Sequence, residues 1–198
     1  LKRKLLTAEL CVHFLHFDSR DYPQLGNLIK CNPAIKSPAD RSALMEALKT
    51  GRIDIIATDH APHTSEEKAS TDYREAPSGL PLVQDALLSL LELYRDGSLA
   101  IEDIVQRTAH NVADRFGVID RGFLREGYWA DLVIVDTERP TPVTRDRVLS
   151  QCGWSPFEGR TFRSSIIATL VNGQPVYRDG RIIECEAAAR LEFRPQRG

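Results

Sequence analysis

Residues 59–63 read Asp-His-Ala-Pro-His and place one carboxylate and two imidazoles directly after an apolar run at 53–58. Carboxylate oxygens and imidazole nitrogens are ordinary zinc ligands. A divalent metal lowers the pKa of bound water, and a carboxylate beside it can take up and return a proton. Spacing alone leaves an alternative, in which Asp59 caps a turn while His60 and His63 are solvated loop residues. One carboxylate and two histidines do not make a complete metal site.

The other histidines are weaker candidates. Residues three apart in a strand, such as His13 and His16, point to opposite faces and are not expected to chelate one metal. Cys11 and His13 would share a strand face and could hold zinc, but a half-buried strand with small polar residues is the simpler interpretation. His110 lies in a helical stretch, which favours a packing or capping role.

Two polar segments are ambiguous. Asn32 precedes Pro33, which favours an extended backbone and leaves the Asn32 amide free to donate and accept hydrogen bonds. An ordinary turn asparagine explains it equally well. The charged triplet Glu66, Glu67 and Lys68 is typical of a solvated loop.

The first 120 residues show an α/β pattern. Alternation predicts a strand over 5–13, and the β-branched run predicts a buried strand over 53–58. A buried strand that ends in polar residues typically presents a site at the carboxyl edge of a parallel sheet. A helix is expected to begin at Ser37, with helices also predicted over 80–94 and 101–116. Polar residues 64–78 are predicted to form a long loop, which often carries function.

From Gly122 onward the pattern is β-rich. Two dipeptides, Asn172-Gly173 and Asp179-Gly180, are typical of tight hairpin turns. Around them, strands are predicted over 130–136, 166–171, 175–177 and 181–183. The last dozen residues, 187–198, are charged and are expected to be frayed.

Composition narrows the function classes. The 198 residues carry 26 Lys and Arg against 28 Asp and Glu, so nothing favours a nucleic-acid or membrane partner. Four scattered cysteines without Cys-x-x-Cys spacing suggest neither a disulfide framework nor a zinc knuckle, which favours a cytoplasmic location. The chain begins with Leu1 and its one methionine is Met45, so we expect a piece of a longer protein or a processed one.

Residues 57–68, Ala-Thr-Asp-His-Ala-Pro-His-Thr-Ser-Glu-Glu-Lys, resemble the second signature of dihydroorotases, an Asp-x-Ala-Pro-His core followed by lysine. Hydantoinases and allantoinases are similar at the Asp-His pair but usually differ at the second histidine. The resemblance extends over residues 5–184. Its other elements are Thr7-Ala8-Glu9 before His13, Asn32-Pro33-Ala34-Ile35-Lys36, Gly127-Tyr128-Trp129-Ala130-Asp131-Leu132-Val133 and Asn172-Gly173.

The resemblance implies the α/β fold of a metal-dependent amidohydrolase, a (β/α)₈ barrel. Residues 1–120 would form the carboxyl-terminal strands and helices of the barrel, 121–186 part of a small β-sandwich domain, and 187–198 a tail. The family's remaining metal ligands would precede this chain, and a complete barrel needs about 250 residues. Val12-His13-Phe14 departs from the family's Pro-His-His, which weakens the subfamily assignment more than the chemistry.

The resemblance also implies roles for residues. Asp59 would be a metal ligand that passes a proton from a hydroxide bridging two zinc ions to the departing amide nitrogen. Asn32 and His63 would bind a cyclic ureide that carries a carboxylate. Backbone groups of Pro77, Ser78 and Gly79 would hold its ring. The implied reaction is the reversible cyclisation of N-carbamoyl-L-aspartate to dihydroorotate in pyrimidine (UMP) synthesis.

Two alternatives stay open. One is another cyclic amidohydrolase acting on a hydantoin or allantoin, against which Asn32 and His63 argue. The other is an inactive homologue that scaffolds a transcarbamoylase, although an inactive site has no chemical need for Asp59, Asn32 and His63 together. If the chain is part of an enzyme, we expect a small-molecule substrate and no nucleic-acid or membrane partner. We also expect a homo-oligomeric assembly, with a transcarbamoylase as a candidate partner.

We expect the isolated 198-residue chain to show no dihydroorotate hydrolysis and no tight binuclear zinc site, because Asp59 is the one family metal ligand within it. A spectrophotometric assay with zinc added tests this expectation. Measurable turnover by the isolated chain would contradict it.

Overall fold

The computed structural model describes residues 4–195. Its first part is built on a parallel pair of strands, β1 (Glu9–Cys11) and β2 (Ile55–Ala57). Parallel strands need a crossover connection, and helix α3 (Pro38–Lys49) lies within it. The residues of the run 53–56 are all buried, as expected for a parallel strand covered on both faces.

Helix α3 begins as its sequence predicts. The Ser37 hydroxyl accepts the Asp40 N–H at 3.3 Å, and the Asp40 carboxylate accepts the Ser37 N–H at 3.0 Å. This reciprocal capping box satisfies two N–H groups that the first helical turn leaves without partners. The predicted start of the helix is therefore confirmed.

The prediction of a strand over 5–13 is wrong at both ends, because β1 covers only Glu9–Cys11. The chain leaves β1 after Cys11 and enters a short helix, α1 (His13–His16), in which the Phe17 N–H donates to the His13 carbonyl at 2.9 Å. A second short helix, α2 (Tyr22–Leu25), follows. Because His13 and His16 belong to one helical turn, they do not lie on opposite faces of a strand, and Cys11 and His13 do not share a strand face. Alternation over a few residues could not reveal this change of period.

The predicted loop 64–78 contains a further short helix, α4 (Ser65–Lys68), with a capping box between Thr64 and Glu67. The expectation that Lys68 is solvated is wrong, since only 2% of the residue is exposed. The capping pattern Thr-x-x-Glu was visible in the sequence, but the burial of Lys68 depends on segments far away in the chain.

Helix α5 (Ala86–Arg95) begins six residues later than predicted, because residues 80–82 lie beside the 59–63 segment and a turn at 83–85 follows. The next predicted helix is confirmed as a continuous helical stretch made of α6 (Ile101–Val105), a π-helical turn and α7 (Asn111–Phe116). It ends at Gly117, whose φ of 66° is the left-handed conformation that closes many helices.

The β-rich part contains an antiparallel sheet and a separate strand pair. Two turns of the sheet, Asn172-Gly173 and Asp179-Gly180, have positive φ at both residues, as tight hairpins require. The sheet has the order β3-β6-β7-β8: β3 (Leu132–Asp136), β6 (Ser165–Val171), β7 (Gln174–Arg178) and β8 (Arg181–Ile182). The pair is β4 (Thr141–Pro142) with β5 (Thr161–Phe162). The β-sandwich stays a prediction, as do the domain boundaries.

The expectation of a frayed tail is wrong for residues 187–194. Ala187 is buried, and its carbonyl accepts the Asn172 side-chain amide at 2.5 Å. The Ile119 N–H donates to the Glu192 carbonyl at 2.9 Å, and the Arg194 N–H donates to the Gly117 carbonyl at 2.7 Å. Backbone pairing therefore fixes this charged segment, while residues 196–198 lie outside the described part.

One apolar core crosses from the α/β part to the β-rich part. Phe157 is fully buried and stacks on Phe17 at a centroid distance of 5.3 Å. It also meets Phe162 edge-on at 5.5 Å. Aromatic pairs at such distances contribute beyond the area they bury. Among the described helices, none is both long and apolar enough to cross a membrane.

Candidate active site

Strands β1 and β2 end at the same edge, where the Val12 N–H donates to the Ala57 carbonyl at 3.0 Å. Asp59 follows β2 by two residues, is exposed, and has a φ of 49°. Aspartate tolerates the left-handed region better than most residues because its short side chain can hydrogen-bond locally. The structure thus places the predicted metal ligand at the carboxyl edge of a parallel pair.

The charge of the Asp59 carboxylate acts on three groups at this edge. Burial, and secondarily the charge of Asp59, raises the pKa of Cys11 and of Cys31 to about 11. Burial lowers the pKa of His13 to about 4, and the Asp59 charge opposes that shift.

His13 is fully buried, and neither of its ring nitrogens finds a hydrogen-bond partner among the described residues. Its ring lies 4.1 Å from that of Phe14, centroid to centroid. His110, in contrast, stacks on Phe123 at 4.4 Å with nearly parallel rings. The packing role predicted for His110 is confirmed.

His60 holds the segment that leads to α5. Its Nδ1 accepts the N–H of Leu82 at 3.0 Å and that of Val83 at 3.1 Å. A ring nitrogen that accepts two N–H groups carries no proton, so the neutral tautomer has its proton on Nε2. His60 is therefore a positioning residue rather than a free solvated one.

His63 is held on two sides. Its Nδ1 lies 3.3 Å from the Glu67 carboxylate, and its main-chain carbonyl accepts the indole N–H of Trp154 at 2.7 Å. About a third of the His63 side chain is exposed, whereas Trp154 is only 2% exposed. The role of Trp154 was missed because it lies 91 residues away in the chain, and nothing local signals the contact.

The predicted substrate-binding segments meet each other. The Gly79 N–H donates to the carbonyl of Lys30 at 2.9 Å, just before exposed Asn32. Gly79 has a φ of 146°, and a Cβ there would lie 2.3 Å from the Ala61 carbonyl oxygen. Only glycine fits, so this contact fixes 77–79 closely against the segment of Asp59 and His63.

Lys68 connects these segments through hydrogen bonds to their carbonyl groups. Its ammonium donates to the carbonyls of Lys30 at 3.1 Å, Pro77 at 3.0 Å and Gly79 at 2.9 Å. Burial lowers the pKa of Lys68 to about 8. Sequence reasoning placed this lysine in the family signature but missed its burial.

The donor set for a metal is incomplete within the described part of the chain. No group of three or more His, Cys, Asp or Glu side chains in residues 4–195 could hold a metal ion. Asp59 offers an exposed carboxylate, which suffices for one ligand only. A cavity of about 580 Å³ exists elsewhere, between α5 and the β-rich part, and its lining includes none of the predicted site residues.

The model of the amidohydrolase family matches residues 2–177. This chain belongs to the amidohydrolase family. It is 42% identical over 171 residues to the dihydroorotase of Halobacterium salinarum, covering 86% of this chain and 40% of that protein. It is 35% identical over 175 residues to the allantoinase of Bacillus velezensis, covering 88% and 38%.

Solved structures agree with this assignment. The L-hydantoinase of Arthrobacter aurescens superposes with a TM-score of 0.86 at 27% identity, covering 90% of this chain and 40% of that chain. The family resemblance and its α/β fold are thus confirmed. The chain spans about 40% of the length of these relatives.

Acid should destabilise the chain through its buried histidines. Burial lowers the pKa of His13 and of His16 from 6.5 to about 4. The unfolded chain binds protons that the folded chain cannot, so the free energy of unfolding falls as the pH decreases from about 6.5 towards 4. Urea unfolding across this range measures the slope.

The variant His16→Gln removes one titrating group, so we expect a shallower slope between pH 6.5 and 4. Above about pH 7 its dependence on pH should match that of the unsubstituted chain. An unchanged slope in the acid range would show that burial does not depress the pKa of His16.

Proposed function

We propose that this chain forms part of the active site of a dihydroorotase, which interconverts N-carbamoyl-L-aspartate and (S)-dihydroorotate in pyrimidine biosynthesis. The observation that carries the proposal is the convergence of three segments, those of Asp59 and His63, of Asn32, and of 77–79. Dihydroorotases at 34–42% identity support it.

In this proposal Asp59 has two tasks. It contributes one ligand to a site for two zinc ions, which needs further ligands from outside this chain. Bound there, divalent metal polarises an amide carbonyl and activates water. The Asp59 carboxylate also holds a proton and delivers it to the departing amide nitrogen, and its exposure at the strand end leaves it accessible for that transfer.

Substrate recognition would fall to the neighbouring groups. The Asn32 amide can both donate and accept, which matches the alternating N–H and C=O groups of a ureide. His63 would bind the carboxylate, with Nδ1 engaged by Glu67 and Nε2 outside that contact. Backbone groups of Pro77, Ser78 and Gly79 would hold the ring, with the Ser78 N–H as the donor, since the Gly79 N–H is engaged by the Lys30 carbonyl and Pro77 has no N–H.

A second candidate is a cyclic amidohydrolase that acts on allantoin or a hydantoin. The allantoinase relative at 35% identity and the L-hydantoinase structure favour it. Rates with dihydroorotate, allantoin and hydantoin, measured on the complete protein that the proposal implies, distinguish the two candidates. A cytoplasmic location, homo-oligomers and a transcarbamoylase partner stay predictions.

In that complete protein, Asp59→Asn should lower kcat for dihydroorotate by about 10² to 10⁴, since it removes a proton-transferring carboxylate. Asparagine tolerates the left-handed backbone, so the fold should be spared. Steady-state kinetics measure the loss, and urea unfolding checks the fold.

Asp120→Asn is the matched control, because Asp120 is also exposed and has a φ of 52°. It should leave kcat unchanged. Near-normal turnover by Asp59→Asn would remove Asp59 from the reaction.

A further inference from the structure

Lys68 is a buried lysine whose ammonium is saturated by main-chain oxygen atoms. It ends α4 and is 2% exposed. Its three N–H groups have three acceptors, the carbonyls of Lys30, Pro77 and Gly79, at 2.9–3.1 Å. Since an ammonium has three donors and no acceptor, this set uses its capacity in full.

This arrangement is not an ion pair. Within residues 4–195, none of the salt bridges includes Lys68. Burial of a cation without a counter-ion is costly, and an apolar side chain would fill the same space at lower cost. The Lys68 ammonium instead orients three carbonyl groups through its hydrogen bonds.

A second lysine acts on the same loop. Lys30 is 7% exposed, donates to the carbonyls of Tyr73 and Ala76, and lies 4.4 Å from the centre of the Tyr73 ring. Lys30 therefore holds residues 73–76 and Lys68 holds 77–79. The backbone of this loop has hydrogen-bond partners well inside the protein, unlike that of most surface loops.

The orientation of a carbonyl also fixes the N–H next to it. In a trans peptide the carbonyl of residue 77 and the N–H of residue 78 point in opposite directions within one plane. Because the Pro77 carbonyl points to Lys68, the Ser78 N–H points away from Lys68. A backbone donor directed in this way can bind an amide oxygen of a ring without reorganisation when the ligand arrives.

We propose that Lys68 is a positioning residue, whose ammonium orients the 77–79 backbone against the Asn32 segment and thereby sets the affinity for the cyclic ureide. This inference rests on the proposed function for the identity of the ligand. The anchoring itself depends on this chain alone.

The first test uses the 198-residue chain and the variant Lys68→Met, which keeps an apolar stem and removes the ammonium. Hydrogen exchange of the Gly79 N–H, followed by NMR, should be faster by about tenfold or more, while the amides of α5 keep their protection. Lys49→Met, at an exposed position in the last turn of α3, is the control and should change neither.

A measurement on the unsubstituted chain covers the case in which Lys68→Met does not fold. A neutral amine donates two hydrogen bonds rather than three, so deprotonation removes the bond from Lys68 to one of the three carbonyls. The Gly79 amide signal of a ¹⁵N-glycine sample should titrate with a midpoint near pH 8, since burial lowers the pKa of Lys68 to about 8. The other ionisable groups that act on Lys68 are Lys30 and Cys31.

The second test uses the complete protein. Lys68→Met should raise KM for dihydroorotate about tenfold, equivalent to about 1.4 kcal/mol of binding, and leave kcat largely unchanged. Unchanged Gly79 exchange in the variant, or a Gly79 amide signal that stays constant when Lys68 deprotonates, overturns the anchoring. A fall in kcat at constant KM overturns the role in affinity.

The two proposals fail in different ways. If the unsubstituted complete protein does not turn over dihydroorotate, the proposed function is wrong, and the Gly79 measurements still decide whether Lys68 anchors the loop. If it does turn over dihydroorotate but KM is the same in Lys68→Met and Lys49→Met, the inference about Lys68 is wrong and the proposed function stands.

Discussion

The parallel pairing of Glu9–Cys11 with Ile55–Ala57 is the constraint on which the candidate site depends. Parallel strands end at the same edge, so the residues after Cys11 and the residues after Ala57 must be neighbours. An antiparallel pair would have sent Asp59 and His13 to opposite edges. The register pairs Glu9 with Ile55, Leu10 with Ile56 and Cys11 with Ala57, so the two strands end level with each other.

The loops at this edge are ordered by polar contacts to backbone rather than by apolar packing. His60 binds two N–H groups, Lys68 binds three carbonyls and Trp154 binds one. Each contact satisfies main-chain groups that would otherwise need water. A binding surface made of backbone needs this kind of support, because its geometry changes with every rotation of a peptide plane.

The sequence was informative where the deciding interactions are local. The capping box of Ser37, the two hairpin turns and the buried run before Asp59 are each specified within a few residues, and the structure has all three. The end of β1 at Cys11 was not predictable from alternation. Neither were the contacts of Lys68 and Trp154, since their partners lie up to 38 and 91 residues away.

The β-rich part contacts residues on and around this edge. Trp154 and Phe157 belong to the segment between β4 and β5, yet one donates to the His63 carbonyl and the other stacks on Phe17. Ser155, between them, donates to the buried carboxylate of Asp85, whose pKa burial raises. Three contacts within residues 154–157 thus fix this segment to His63, Asp85 and Phe17. Displacement of the β-rich part would therefore shift His63, whose carbonyl is bound to Trp154, more than Asp59, which follows strand β2 by two residues.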